Sequence, residues 1–241
     1  MINKPSTSTS TETADDDLGE SLEALSLADR AYERIEAIIL SGKLKSGERL
    51  NDSKLAKAFS ISRGPVRSAL TRLAEAGLVD QIPYRGAFVR TIDLDEVLEI
   101  YEVRAAVERA GARAACRNMT PVMLAQLSEY GDAMDDSFRK GEKERYFELN
   151  LAFHQFIHQA SGNSRLLDLY ERYTREQKLF RHFSVVRTSL EESHSEHQRI
   201  LQAFKNGDCD AVAAAMENHV LSSKQRLEQS MKKIKNDYLP L

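Results

Sequence analysis

Three histidines of this 241-residue chain lie in apolar surroundings on separate segments with helical periodicity: His154, His197 and His219. Asn150 precedes His154 by one helical turn, so the two side chains share a face. Three imidazoles and an oxygen that converge inside a helical bundle are a recurrent ligand set for a divalent cation such as Zn²⁺ or Ni²⁺. The spacing alone leaves a second interpretation equally open, in which each histidine is a hydrogen-bonded core residue. The remaining histidines of this region are assigned to the surface or the core: His158, His182 and His194.

A second group of informative residues lies closer to the N-terminus, where Ser62, Arg63, Pro65 and Arg67 open a predicted helix. Arg63 and Arg67 are four residues apart and therefore share one helix face. Arginine is the side chain best suited to bidentate contact with guanine O6 and N7, and Ser62 with the helix N-terminus can serve phosphate oxygens. The group predicts a DNA-reading surface, although either arginine taken alone fits an ordinary solvated face equally well.

The charge distribution supports this interpretation. The whole chain carries 34 Lys and Arg against 37 Asp and Glu, for a net charge of -3. The window from Lys43 to Arg90, however, holds ten basic and four acidic residues, so it carries +6 and the rest of the chain carries -9. A small basic module joined to a larger acidic body suggests that the module binds a polyanion.

Residues 23–91 have the pattern of a winged helix-turn-helix domain. Apolar periodicity predicts three helices, and two strand-like runs follow around Pro83-Tyr84-Arg85, which indicates a hairpin. Ser62 is expected to cap the third helix and Gly77 to end it in a left-handed conformation. Arg85 and Gly86 lie at the hairpin tip, where a glycine lets the backbone approach a groove or a phosphate closely.

Residues 92–234 are helical throughout in pattern. Six antiparallel helices joined by short loops predict a bundle large enough to enclose a cavity. The expected fold class is therefore mostly α, with an N-terminal winged helix-turn-helix and a C-terminal all-α antiparallel bundle. Residues 1–22, rich in Ser and Thr and then acidic, are predicted to be a disordered tail, and residues 235–241 a second tail.

Several classes of protein are excluded by composition and motifs. No stretch approaches the length of apolar sequence that a membrane span requires, and the N-terminus has no apolar signal region, so a cytoplasmic protein is expected. Cys116 and Cys209 fit no metal-binding spacing and are expected to be reduced. The His154-Gln-Phe-Ile-His158 segment is similar to a zinc-protease helix but has Gln155 in place of the general-base glutamate, so no enzyme is expected.

The run from Gly42 to Val79, and above all Ser62-Arg-x-Pro-Val-Arg-x-Ala-Leu-x-x-Leu73, resembles the DNA-binding domain of the GntR family of bacterial transcription regulators, as does the wing Arg85-Gly-Ala-Phe-Val89. The resemblance implies that Arg63, Arg67 and Gly86 contact DNA, and extends less firmly to Pro65 and Arg85. This chain has Ser53 and Gly64 where the family usually has a DNA-contacting arginine and commonly a threonine, so contacts from the second helix are expected to differ.

Residues from about 93 to 227 resemble the FCD ligand-binding domain of the FadR subfamily, on motifs that include Glu102-Val-Arg104, Asn150-x-x-Phe-His154, Glu196-His197 and His219-Val220. Many FCD domains bind a metal through an aspartate and three histidines, and these positions fall on Asn150, His154, His197 and His219. An amide brings no negative charge, so the asparagine predicts weaker metal binding and a stronger need for an anionic ligand.

Two arginines are candidates for binding an effector. Arg104 either pairs with a carboxylate effector or forms a salt bridge with Glu108 or another neighbour, and Arg181 is a second candidate. The complete prediction is a homodimeric regulator of palindromic double-stranded operator DNA, a repressor that a small organic acid or sugar acid releases. The alternatives are a DNA-binding protein indifferent to sequence and a metal-dependent hydrolase.

Overall fold

The computed structural model describes residues 26–183 and 190–238, with the side chains of residues 26–180 and 190–233. The predicted N-terminal tail lies outside these residues. Part of the predicted C-terminal tail lies inside them, because the last helix continues to Tyr238 rather than ending at residue 234.

The N-terminal part confirms the winged helix-turn-helix. Three helices and a small sheet follow one another: α1 (Leu27–Leu40), β1 (Arg49–Leu50), α2 (Asp52–Phe59), α3 (Arg63–Glu75), β2 (Val79–Ile82) and β3 (Gly86–Val89). The sheet is antiparallel in the order β1-β3-β2, with Arg49 opposite Phe88 and Val79 opposite Val89. The sequence pattern missed β1, since a strand of two residues is too short to show a period.

The caps of these helices follow local sequence with one exception. Ser26 and Asp29 form a reciprocal capping box at α1, and the Asn51 side chain accepts from the Lys54 amide at α2. Ser62 occupies the N-cap position of α3, but its hydroxyl makes no capping hydrogen bond, so that part of the prediction is wrong. Gly77 follows α3 with φ +78°, the left-handed conformation expected for it.

The C-terminal part is the expected all-α bundle. Its helices are α4 (Leu94–Asn118), α5 (Pro121–Lys140), α6 (Lys143–Ala160), α7 (Ser164–Phe183), α8 (Leu190–Asn206) and α9 (Cys209–Tyr238). Asp93 and Thr120 cap α4 and α5 through their side chains. α4 and α9 pack along one another, and apolar side chains such as Phe153 and Ile200 fill the interior. Within the described ranges, no helix combines the length and apolarity needed to cross a membrane.

Cys116, near the end of α4, and Cys209, at the start of α9, form a disulfide with an S–S distance of 2.15 Å. The expectation of two reduced cysteines is therefore wrong in this structure. The residues are 93 positions apart and no local motif links them. They meet because the packing of α4 against α9 brings the end of one helix to the beginning of the other.

One helix of the bundle also packs against the DNA-binding domain. Leu179 of α7 is buried in the apolar core formed by α1, α3 and the wing strands. Close by, Arg90 binds Glu176 of α7 with an N–O distance of 3.0 Å and also pairs with Glu96. The predicted boundary between residues 91 and 92 falls in the connector before α4. The contacts of α7 with the DNA-binding domain therefore join the two predicted domains.

Candidate metal centre and nucleic-acid interface

The structure brings the three predicted histidines together in the interior of the bundle. His154 lies on α6, His197 on α8 and His219 on α9, and a ligand nitrogen of each lies within 4.8 Å of the others. The Nε2 atoms of His154 and His197 are 3.1 Å apart. All three side chains are buried. Three imidazoles in this arrangement are a suitable donor set for a divalent cation.

Each histidine is oriented by an oxygen acceptor on its outer nitrogen. The distances from Nδ1 are 2.6 Å for His154 to Glu108 Oε2, 2.7 Å for His219 to Glu196 Oε2 and 2.6 Å for His197 to the Ser193 carbonyl. A donor on Nδ1 leaves the lone pair on Nε2, which is the tautomer that metal-binding histidines adopt through such outer partners. The hydrogen-bond pattern therefore aims three lone pairs at one another.

Arginines hold the two orienting carboxylates in their charged form. Arg104 lies 2.5 Å from Glu108, and Arg226 binds both oxygens of Glu196 at 2.7 and 2.8 Å. Burial alone would raise the pKa of Glu108, but the charge of Arg104 and the hydrogen bond from His154 hold it well below its usual value. Burial is likewise outweighed at Glu196, where hydrogen bonds from Arg226 and His219 lower the pKa to about 2.

The imidazoles of His197 and His219 are neutral at physiological pH. Burial holds the pKa of His197 well below its usual value and lowers that of His219 to about 4. Only neutral imidazole has a lone pair to donate, so burial keeps these side chains in the form that binds a metal.

Asn150, the fourth predicted ligand, lines the same cavity as His154 and His219. Its Oδ1 atom is buried and accepts no hydrogen bond from the protein. An unpaired buried acceptor is costly, and a cation in the histidine cluster would supply its missing partner. This orphaned oxygen and the three inward-facing imidazoles fit a divalent metal.

The cavity beside the cluster has a volume of about 660 Å³. Four basic side chains line it: Arg104, Lys143, Lys178 and Arg226. Arg104 forms the salt bridge with Glu108 that was one of its two predicted roles, and it also lines the cavity. It also donates to Gln177, whose amide donates in turn to the Tyr101 hydroxyl. The side chain of Arg181 lies outside the described residues.

Sequence analysis did not assign the outer residues of this site. Glu196 had a local signal, since it directly precedes His197 in a recognisable motif. Arg226 had none, because its partner is 30 residues away. His158, which the sequence left as surface or core, is fully buried and stacks on Tyr170 with ring centroids 4.3 Å apart.

The predicted DNA-reading residues lie on one side of the N-terminal domain. Arg63 and Arg67 project from the first two turns of α3, with side chains 54% and 64% exposed, and Ser62 at the N-cap and Pro65 lie beside them. Both arginines bind one carboxylate oxygen of Asp52, the first residue of α2, at 2.9 Å from Arg63 Nη2 and 2.8 Å from Arg67 Nε. Sequence analysis did not single out Asp52.

The wing completes this surface. Gly86 has φ +102°, which requires glycine, and Arg85 stacks over Phe88 at 5.8 Å from its ring centroid. Tyr84 at the turn has φ +63° and a fully exposed side chain. A groove of about 560 Å³ separates α3 from the wing, with Arg67 and Gly86 on its two sides.

Comparisons with known proteins agree with this architecture. The model of bacterial regulatory proteins of the gntR family matches residues 27–89, and the FCD domain model matches residues 99–222. The HTH-type transcriptional repressor RspR of Escherichia coli K12 is 28% identical over 207 residues, which span 86% of this chain and 89% of that protein. The Nta operon transcriptional regulator of Aminobacter aminovorans is 28% identical over 181 residues, 75% of this chain and 85% of that protein.

Solved structures share the fold. E. coli McbR/YncC superposes with a TM-score of 0.71 at 24% identity, covering 86% of this chain and all of that one. A GntR regulator from Rhodococcus sp. RHA1 gives 0.67 at 21% identity, covering 84% of this chain and 98% of that one. The matched families and relatives are transcription regulators rather than enzymes, as the missing general base predicted. The chain belongs to the GntR family of bacterial transcription regulators and has the FadR-type architecture, in which a winged helix-turn-helix is joined to an FCD domain.

Proposed function

We propose that this regulator binds palindromic operator DNA as a homodimer and is released from it by a small carboxylate or sugar acid bound in the 660 Å³ cavity. The observation that carries the proposal is a cavity lined by four basic side chains, two glutamates and part of the histidine cluster, connected by one helix to the DNA-binding domain. The relative RspR of E. coli is a transcriptional repressor, which supports repression rather than activation.

The metal would be held by His154, His197 and His219, with Asn150 as the oxygen ligand. When bound, a divalent cation supplies positive charge that neutral ligands leave uncompensated, which favours an anionic effector. Glu108 and Glu196 keep the imidazoles in the binding tautomer, and Arg104 stands at the cavity wall as a partner for a carboxylate.

Helix α7 supports a route from the cavity to DNA. Thr174 and Gln177 line the cavity, and Gln177 accepts a hydrogen bond from Arg104. Glu176 and Leu179, on other faces of the same helix, contact the DNA-binding domain through Arg90 and its apolar core. An effector that takes Arg104 away from Gln177 shifts α7, and with it the position of the reading helix α3.

The homodimer follows from the size of the reading surface. One recognition helix reads only a few base pairs, and two-fold pairing extends the contact to two half-sites of a palindrome. Effector binding that changes the separation of the two reading helices lowers operator affinity, because both half-sites can no longer be contacted together.

The decisive experiment examines the protein as purified and then its response to ligands. Elemental analysis and native mass spectrometry are expected to find a divalent cation or a small acid retained by the full chain. Operator duplexes selected from random DNA are expected to dissociate when members of a library of small carboxylates are added. DNA binding that no member of the library alters would favour a regulator without an effector, and binding without sequence preference would favour the sequence-indifferent alternative.

A further inference from the structure

We propose that Asp52 determines the sequence selectivity of the DNA-binding surface, by holding Arg63 and Arg67 in a base-reading arrangement and by opposing non-selective contact with phosphates. This inference rests on the proposed DNA-reading role of the two arginines. It assigns a function to an acidic side chain in the middle of a surface that must approach a polyanion.

The geometry places three arginine nitrogens around one oxygen. Asp52 Oδ2 accepts from Arg63 Nε at 3.3 Å, from Arg63 Nη2 at 2.9 Å and from Arg67 Nε at 2.8 Å. Oδ1 accepts from the Ser53 hydroxyl at 3.3 Å. The carboxylate therefore joins two side chains that are one turn apart on α3 to the first residue of α2.

These contacts leave the outer ends of the guanidinium groups available. Arg67 is bound through Nε alone, so both of its Nη atoms can face the guanine acceptors O6 and N7. Arg63 uses its Nε edge and keeps Nη1. Fixing a long side chain before binding reduces the conformational entropy lost on complex formation, and this gain is realised only where a base accepts the presented hydrogen bonds.

The charge of Asp52 acts on non-specific binding. Hydrogen bonds from Arg63 and Arg67 hold the pKa of this carboxyl far below its usual value, so it stays ionised throughout the physiological range. One negative charge shared between two arginines reduces the attraction of this surface for any phosphate backbone. The neighbouring Ser53 is uncharged, so it adds no positive charge that would offset Asp52.

The test compares four full-length proteins: the wild type, D52N, D52E and E75Q. Asp52→Asn keeps the size and removes the charge, whereas Asp52→Glu keeps the charge. Glu75→Gln removes the same charge from the exposed last residue of α3, which makes no contact with Arg63 or Arg67 among those described. Dissociation constants are measured for a duplex enriched from random DNA by the wild type and for a shuffled duplex, at two salt concentrations, with thermal unfolding as the check on folding.

For D52N we expect about tenfold tighter binding to the shuffled duplex, a salt dependence steeper by about one released counterion, and a ratio of specific to shuffled affinity lower by about tenfold. D52E is expected to have a ratio close to that of the wild type, because it keeps the negative charge. E75Q is expected to have the wild-type ratio. If the ratio of specific to shuffled affinity is unchanged in D52N, or if D52N loses affinity equally for both duplexes, the role proposed for Asp52 is wrong and the proposed function still stands. A wild type that enriches no sequence overturns the proposed function and this inference together.

Discussion

The DNA-reading surface and the histidine cluster hold their polar side chains in opposite ways. Arg63 and Arg67 are more than half exposed and are tied to a single carboxylate. The three histidines and the carboxylates of Glu108 and Glu196 are buried, and each of these carboxylates binds a histidine of another helix. The first site is a property of the surface, and the second is part of the core.

The size of the ligand explains the difference. A duplex can be reached only by side chains that extend from the surface, and their conformations are completed by the DNA itself. A small acid or a cation enters the protein, so the groups that bind it must be fixed beforehand by neighbours, which makes the binding site a polar network within the fold. Substitutions at the surface should therefore change binding alone, and those at the cluster should change stability as well.

The largest effect is expected from Arg104→Ala, which leaves the buried Glu108 carboxylate without its cationic partner. The free energy of unfolding should fall by about 3–5 kcal/mol, as for other buried charges that lose one partner. The measurement is chemical denaturation, with Arg165→Ala, 90% exposed, as the control that changes it by less than about 0.5 kcal/mol. Equal unfolding curves for the two variants would contradict the assignment of the cluster to the core.

Arg67→Ala tests the other side of the comparison. Loss of a base contact should weaken operator binding by about 1–3 kcal/mol and relax selectivity at one position of each half-site. The melting temperature should stay that of the wild type, because the side chain is 64% exposed. Fluorescence anisotropy on single-base operator variants measures the first effect and calorimetry the second. A uniform loss on all duplexes would assign Arg67 to phosphate contact.

Glu196→Gln tests the outer layer of the cluster. The glutamine side chain is a neutral and therefore weaker acceptor for the Nδ1–H of His219 than the carboxylate. Metal affinity should therefore fall roughly 10- to 100-fold, as it does when comparable outer partners are replaced. Isothermal titration with Zn²⁺ measures it, and Glu99→Gln on the exposed face of α4 serves as control. Unchanged affinity in Glu196→Gln would mean that His219 is oriented without this carboxylate.

Asn150→Asp should produce the smallest change, and in the opposite direction. An added unit of ligand charge is expected to tighten metal binding by roughly tenfold and to weaken the requirement for an anionic effector. Titration with Zn²⁺ in the presence and absence of a small carboxylate separates the two effects. If affinity is the same in both proteins, Asn150 is not a ligand.

The elements that the sequence predicts correctly are those whose signals span only a few positions. The helices and the wing hairpin were predicted because apolar spacing, capping residues and glycines act over a few positions, as Thr120 and Gly77 illustrate. The three histidines were predicted from their apolar surroundings and a family resemblance, and the structure brings them together.

The contacts that the sequence did not predict join residues that are distant in the chain or lie on different helices. The disulfide between Cys116 and Cys209 joins residues 93 positions apart, and the Arg90–Glu176 pair spans 86. Asp52 lies 15 residues before Arg67, but it belongs to another helix whose orientation no local pattern reveals. Such pairs are decided by tertiary packing, and a single sequence carries no record of it.

Gly77 shows how closely the two halves of the molecule depend on each other. Its φ of +78° ends the reading helix, and the space where a β-carbon would sit is taken by the Glu176 carboxylate, while its own carbonyl accepts from Arg90 at 3.3 Å. Any larger residue at this point would displace the Glu176 carboxylate and would have to adopt a left-handed backbone conformation that favours glycine. A chimera that joins residues 26–91 to another sensor domain therefore needs a carboxylate at the position of Glu176. Without it, the space beside Gly77 would be unfilled and Arg90 would lose this ion pair.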